Sequence, residues 1–211
     1  MAIDEEQRQT EASAGGPPRL SFAETREERR VPRIVTSLTR RIRELDGFRA
    51  EGIFRLSAGA DDLAQLRTQL VGGDYRIERA KGGNDPIVPA AMLKEWLRGL
   101  REPLIPFSQY DFCIERAKNK DLTAGRILKL MAKLPESNRA LLEYLIKMLQ
   151  EASQEEYVVT SKMTLPNLAI VFSPSFLRSP NDDPALAIMN TKFETEFVIA
   201  LVKNCTYSST G

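Results

Sequence analysis

The stretch from Ser137 to Ala152, SNRALLEYLIKMLQEA, decides the fold class. Leu141, Leu142, Leu145, Ile146 and Leu149 recur at helical spacing, and Ser137 is placed to cap the start. An apolar stripe that wide belongs to a helix deep in a bundle. The same period recurs on both sides. Ile34, Leu38, Ile42 and Leu45 mark a helix that follows Pro32 and ends at Asp46-Gly47, with Arg33, Arg40, Arg41 and Arg43 on its wet side. Leu63, Leu66 and Leu70 mark another, capped by Asp61 or Asp62 and stopped by Gly72-Gly73. Pro89 suits the first turn of a helix over 90–100, with Leu93, Trp96, Leu97 and Leu100 as its core face.

Farther on, Tyr110 to Ala117 and Thr123 to Met131 read as two short helices. Leu165 to Ser173 reads as one that Pro174 halts, and a last helix from Thr191 buries Phe193, Phe197 and Leu201. Residues 74–86 are a polar excursion expected to form a surface loop. Only Glu156 to Thr160 looks strand-like, too short to argue for a sheet. The expected fold is all-α: a single helical domain of about seven to nine helices over 32–204. Residues 1–20 read as a disordered tail and 205–211 as a flexible one. Residues 21–31 read as a short helical or linker extension opened by the capping box Ser21-Phe22-Ala23-Glu24.

Composition excludes several kinds of chemistry. The 211 residues carry a net charge of +1, so no global field draws the chain to nucleic acid. There is no histidine, which removes the usual general base and the commonest metal ligand. Cys113 and Cys205 have no CxxC partner and read as reduced thiols rather than a disulfide. No apolar run approaches a membrane span, and no GxGxxG or GxxxxGK[ST] offers a nucleotide cradle. Glu155/Glu156 and Asp182/Asp183 read as solvated pairs in polar turns.

Within this helical background, Glu51 to Gly59, EGIFRLSAG, stands apart. Arg55 lies between Gly47 and Gly52 on one side and Gly59 on the other, where the backbone is free to bend sharply. Lys94 and Arg98 lie one turn apart, on the face expected to be opposite Trp96. Like charges at that spacing repel slightly unless something anionic answers them. A solvated helix face, a contact with a partner's carboxylates and a buttress for the Arg55 loop are the readings left open. Asn167 points away from Leu165, Ala169, Phe172 and Phe176 at 100° per residue, with Met163, Ile170 and Val171 as its apolar rim.

EGIFRLSAG, then LKEWLRGLREPLIP (93–106), then KMTLPNLAIVFSPSFL (162–177) resemble the three signature blocks of the RhoGAP domain, the GTPase-activating domain for Rho-family small GTPases. The resemblance runs from Pro32 to Lys203. Asp182 to Phe197 is also similar to the subgroup in which this domain follows a myosin-tail-homology domain. The resemblance implies a helical domain that binds a GTP-loaded Rho, Rac or Cdc42-like protein and inserts one arginine into its nucleotide site. That finger maps onto Arg55, the family's lysine and arginine onto Lys94 and Arg98, and its asparagine onto Asn167.

The chain departs from the family pattern at four places. Gly99 to Leu104 replaces the common ELPEPL run, Ser161 stands where NKM has its asparagine, Pro166 precedes Asn167, and Ser175 follows Pro174 in place of an asparagine. On this reading the domain has no cofactor of its own, because the partner carries GTP and Mg²⁺. It is a catalytic activator in trans, not a nucleotide-binding hydrolase, and a non-catalytic GTPase-binding module of the same fold is the alternative. It is expected to be a cytoplasmic monomer, recruited to membranes through the partner or other domains.

Overall fold

A computed structural model describes residues 28–181 and 183–205. In chain order its α-helices are α1 (Arg33–Glu44), α2 (Ala60–Val71), α3 (Ile87–Arg98), α4 (Tyr110–Lys118), α5 (Ala124–Lys133), α6 (Glu136–Ala152), α7 (Glu155–Ser161), α8 (Leu165–Phe176) and α9 (Pro184–Asn204). No strand occurs among the described residues. Ser21 to Glu24 and residues 1–20 and 206–211 lie outside them, and Glu28–Arg30 forms one 3-10 turn.

The stripe on α6 does what its width implies. Leu142, Leu145, Ile146, Met148 and Leu149 are wholly buried, and the helix packs against α8 and α9. Each such side chain contributes about 1.5–3 kcal/mol on leaving water. The start differs from expectation. Pro135 holds the cap position without a side-chain cap, so Ser137 lies inside the first turn. Gln150 ties the far end down, its Nε2 donating to the carbonyls of Val202 and Cys205 at 2.7 and 2.8 Å. Cys205, read from sequence as tail, is therefore buried against α6.

Several stripes rotate relative to the sequence reading. On α1 the buried set is Val35, Thr36, Leu38, Thr39 and Ile42, while Ile34 and Leu45 are only partly covered. Thr39 can face the core because its hydroxyl is satisfied, bonding to the Val35 carbonyl at 2.9 Å and to the Tyr144 hydroxyl at 2.5 Å. On α3, Val88, Met92, Leu93 and Leu97 are buried, while Trp96 and, just past the helix end, Leu100 pack against the core but stay partly exposed. α2 begins after Gly59 with Asp61 and Asp62 in its first turn, where they complement the helix dipole without capping it.

Three expectations fail outright. Residues 155–161 are helical, not extended. Glu155 and Glu156 favour that helix start, and Tyr157 docks edge-on against Phe48 at 5.7 Å, so packing overrides the β-branched run. Helix α8 passes through Pro174. The proline strands the Ile170 carbonyl, and the Ser173 hydroxyl donates to it at 3.4 Å. α9 starts at Pro184 rather than Thr191. The Asp183 carboxylate accepts from the Ala185 and Leu186 amides at 2.9 and 3.3 Å, a complete N-cap. The loop over 74–86 is also anchored. Ile77 is buried, and Gly83 packs so tightly that a Cβ would sit 2.0 Å from the Ile77 carbonyl.

Candidate functional site

After α1 the chain makes a left-handed residue at Asp46 and a 3-10 turn over Gly47–Arg49 that buries Phe48. It then enters the turn that carries Arg55. Gly52 has φ 69°, and its carbonyl accepts from the Arg55 and Leu56 amides, both at 2.9 Å. Phe54 is also left-handed at φ 65°, which costs a non-glycine residue about 1–2 kcal/mol. Burial outweighs that cost. The Phe54 and Ile53 side chains are wholly buried, and the Phe54 ring meets Phe172 of α8 edge-on at 5.1 Å. With both preceding side chains held inward, Arg55 is left on the exposed crest of the turn. Among the described residues its guanidinium has no carboxylate partner.

Lys94 lies beneath this turn, not on a solvated helix face. It is 9% exposed, and its Nζ donates to the carbonyls of Phe54 and Leu56, the residues that bracket Arg55. Burial, and then the positive charge of Arg98, lower its pKa from the ordinary lysine value. Arg98 ends α3 one turn on and is exposed. The backbone beside it is fixed by Arg178, which donates to the carbonyls of Arg98, Leu100 and Arg101 at 3.3, 2.8 and 3.3 Å. The following segment is clamped to the end of α8, the Leu104 and Ile105 amides donating to the Ser175 and Phe176 carbonyls.

Asn167 is exposed near the start of α8, with Pro166 inside the first turn where its missing N–H does no harm. Thr164 caps the helix by accepting the Asn167 amide at 3.4 Å, and the Asn167 side chain donates through Nδ2 to the Lys162 carbonyl at 3.0 Å. Ile170 is 57% exposed beside it and Val171 is half-buried, but Met163 is buried and forms no part of the rim. Leu56 at 44% and Val159 at 61% add further exposed apolar surface. The residue types gave no sign of the left-handed backbone at Phe54 and Lys162.

The arrangement supplies positive charge, from Arg55 and Arg98, on an exposed surface. Among the described residues no cluster of histidine, cysteine, aspartate or glutamate is arranged to hold a metal. Burial pushes the Cys113 thiol up to about 12, so it is inert as a nucleophile. A cavity of about 990 Å³ between α1 and residues 72–78 contains none of the four candidate residues.

The RhoGAP domain family model matches residues 32–181, most of the chain and all three motif blocks. The chain belongs to the RhoGAP family. RhoGAP domains act in trans as catalytic activators of GTP hydrolysis on Rho-family GTPases and are not themselves hydrolases. The chain is 34% identical over 174 residues to GTPase activating protein homolog 3 of Dictyostelium discoideum, covering 82% of this chain and 12% of that protein. It is 35% identical over 140 residues to human Bargin, covering 65% of this chain and 20% of that protein. It spans only 12% to 19% of the first three curated relatives it matches.

The fold is that of human Rho GTPase activating protein 15, with a TM-score of 0.69, 22% identity and 82% coverage of both chains. It also matches the BH domain of Graf, a GTPase regulator associated with focal adhesion kinase. There the TM-score is 0.65 at 24% identity, covering 81% of this chain and 90% of that one. Among the described residues of this RhoGAP domain, no helix is long and apolar enough to cross a membrane.

Proposed function

We propose that this domain binds a GTP-loaded Rho, Rac or Cdc42-like protein and accelerates its GTP hydrolysis by placing Arg55 in the partner's nucleotide site. The observation that carries this reading is the mounting of Arg55: an exposed guanidinium, unpaired among the described residues, on a turn whose two preceding side chains are buried and whose carbonyls are held from below by Lys94. A guanidinium presents several donors in a fixed plane and stays charged at any working pH. Hydrolysis of GTP builds negative charge on the γ-phosphoryl and β–γ bridging oxygens, and a preorganised cation there lowers the barrier. The attacking water, its orienting glutamine and the Mg²⁺ belong to the partner. A chain without histidine is therefore adequate to the task.

In this reading Lys94 keeps the turn in shape, and Arg98 and Asn167 lie on the rim that meets the partner. Leu56, Val159 and Ile170 exclude water around the contact. Phosphate release from a panel of GTP-loaded Rho-family proteins, with and without the domain, tests the proposal. Stimulation of at least one member is expected. Tight binding to the GTP-bound form without stimulation would instead assign a non-catalytic GTPase-binding module.

A further inference from the structure

The turn between α7 and α8 connects two parts of the site that lie far apart in sequence. α7 ends at Ser161, and Lys162 reverses the chain in the left-handed conformation at φ 61°. Ser161 is wholly buried. Its hydroxyl accepts the Met163 amide at 3.1 Å, and its carbonyl accepts the Gly52 amide at 2.8 Å. A carbonyl at a helix C-terminus has no partner within its own helix, and Gly52 supplies one from the Arg55 turn. One residue on, the Lys162 carbonyl accepts the Asn167 side chain at 3.0 Å. The Gly52 carbonyl in turn accepts the Arg55 amide. Hydrogen bonds thus run from Asn167 on α8 to the Lys162 carbonyl, and from the adjoining Ser161 carbonyl through the Gly52 peptide to Arg55.

We propose that Ser161, Lys162 and Asn167 form a brace that sets the Arg55 turn, with Asn167 acting as a positioning residue for the finger. The element with two states is the Lys162 peptide. A lysine at positive φ is strained, and the Asn167 amide holds its carbonyl in the orientation that the left-handed turn requires. Without that bond the peptide relaxes toward negative φ, and the neighbouring Ser161 carbonyl turns away from Gly52. Ser161 occupies the position where the family motif carries asparagine. Its short hydroxyl closes the turn on the Met163 amide and leaves its carbonyl for Gly52. The inference rests on Arg55 being the finger, but the brace is a property of the free domain.

Two measurements on Asn167→Ala, Lys162→Gly and the double variant test it. One is single-turnover GTP hydrolysis titrated with domain, separating maximal rate from half-saturating concentration. The other is amide hydrogen exchange at Gly52 in the free domain, with the Leu145 amide of α6 as the control for global folding. Asn167→Ala is expected to lower the maximal rate and to speed Gly52 exchange, each by about 2- to 30-fold, with a smaller change in half-saturation. Lys162→Gly in the Asn167→Ala background is expected to restore both, because glycine adopts the left-handed conformation without strain. Unchanged Gly52 exchange in Asn167→Ala, or no recovery in the double variant, would overturn the brace and leave Asn167 as a direct partner contact. If no Rho-family protein is stimulated, the finger assignment fails, while the exchange result still decides the brace.

Discussion

The Phe54 ring stands edge-on to Phe172 with centroids 5.1 Å apart, so the residue preceding Arg55 is pinned to the helix that carries Asn167. Removing that ring tests whether burial, rather than backbone preference, fixes the turn. Phe54→Ala is expected to lower stability by about 3–5 kcal/mol, the usual range for a buried phenylalanine. Phe54→Leu is expected to cost less and to retain part of the stimulation. Denaturant unfolding reads the first effect and phosphate release the second. A loss under 1 kcal/mol for Phe54→Ala would mean that the left-handed residue is held by something other than its ring.

Lys94 and Arg98 separate cleanly because one is buried and the other is not. Lys94→Met is expected to change stability by less than about 1 kcal/mol, since removal of a desolvated charge offsets the two lost hydrogen bonds. It should nevertheless depress the maximal stimulated rate, because the carbonyls around Arg55 lose their donor. Arg98→Ala is expected to weaken affinity at low ionic strength and to matter less as salt rises. Equal salt sensitivity in both variants would place the Lys94 charge at the partner surface.

Much of the bundle was legible because apolar spacing reports burial directly. The stripe of α6, and the approximate extents of α1, α2 and α3, follow from apolar spacing together with the prolines and glycines at their ends. The failures have local physical causes. Val158, Val159 and Thr160 resemble a strand until Tyr157 finds Phe48, a contact across more than a hundred residues of chain. Pro174 resembles a stop until Ser173 supplies the missing donor. At the site, the motif blocks picked out Arg55, Lys94, Arg98 and Asn167, but the roles of the middle pair depend on burial. Lys94 turned inward because the carbonyls of Phe54 and Leu56 were waiting for it, and periodicity cannot register acceptors supplied by a distant turn.

Glu194 gives the domain a pH dependence of definite sign. Glu194 is 7% exposed between α9 and α4, and its carboxylate accepts the Tyr110 hydroxyl at 2.7 Å, while Asn190 donates to the same hydroxyl. Burial raises its pKa above the ordinary glutamate value, opposed only by the Tyr110 hydrogen bond. A raised carboxyl binds its proton more tightly in the folded state. Its favourable contribution is complete below about pH 4.3 and is lost as pH rises through the folded value. Glu194→Gln should therefore stabilise the domain at pH 8 and do little at pH 4. Thermal melts of both proteins across that range check it, and a larger benefit at pH 4 would reverse the assignment.

On the proposed function, Arg55 acts on the transition state of a partner's GTP hydrolysis. Arginine fingers supplied in trans raise small-GTPase turnover by about 10³–10⁵. The most direct measurement is single-turnover hydrolysis at saturating domain, with affinity for the GTP-bound partner determined in parallel, for the native domain and Arg55→Ala. Stimulation should fall by at least about 10³-fold while affinity changes far less, because the contact is made chiefly as charge develops. An Arg55→Ala domain that stimulates within a few-fold of the native one would mean that Arg55 is not the finger.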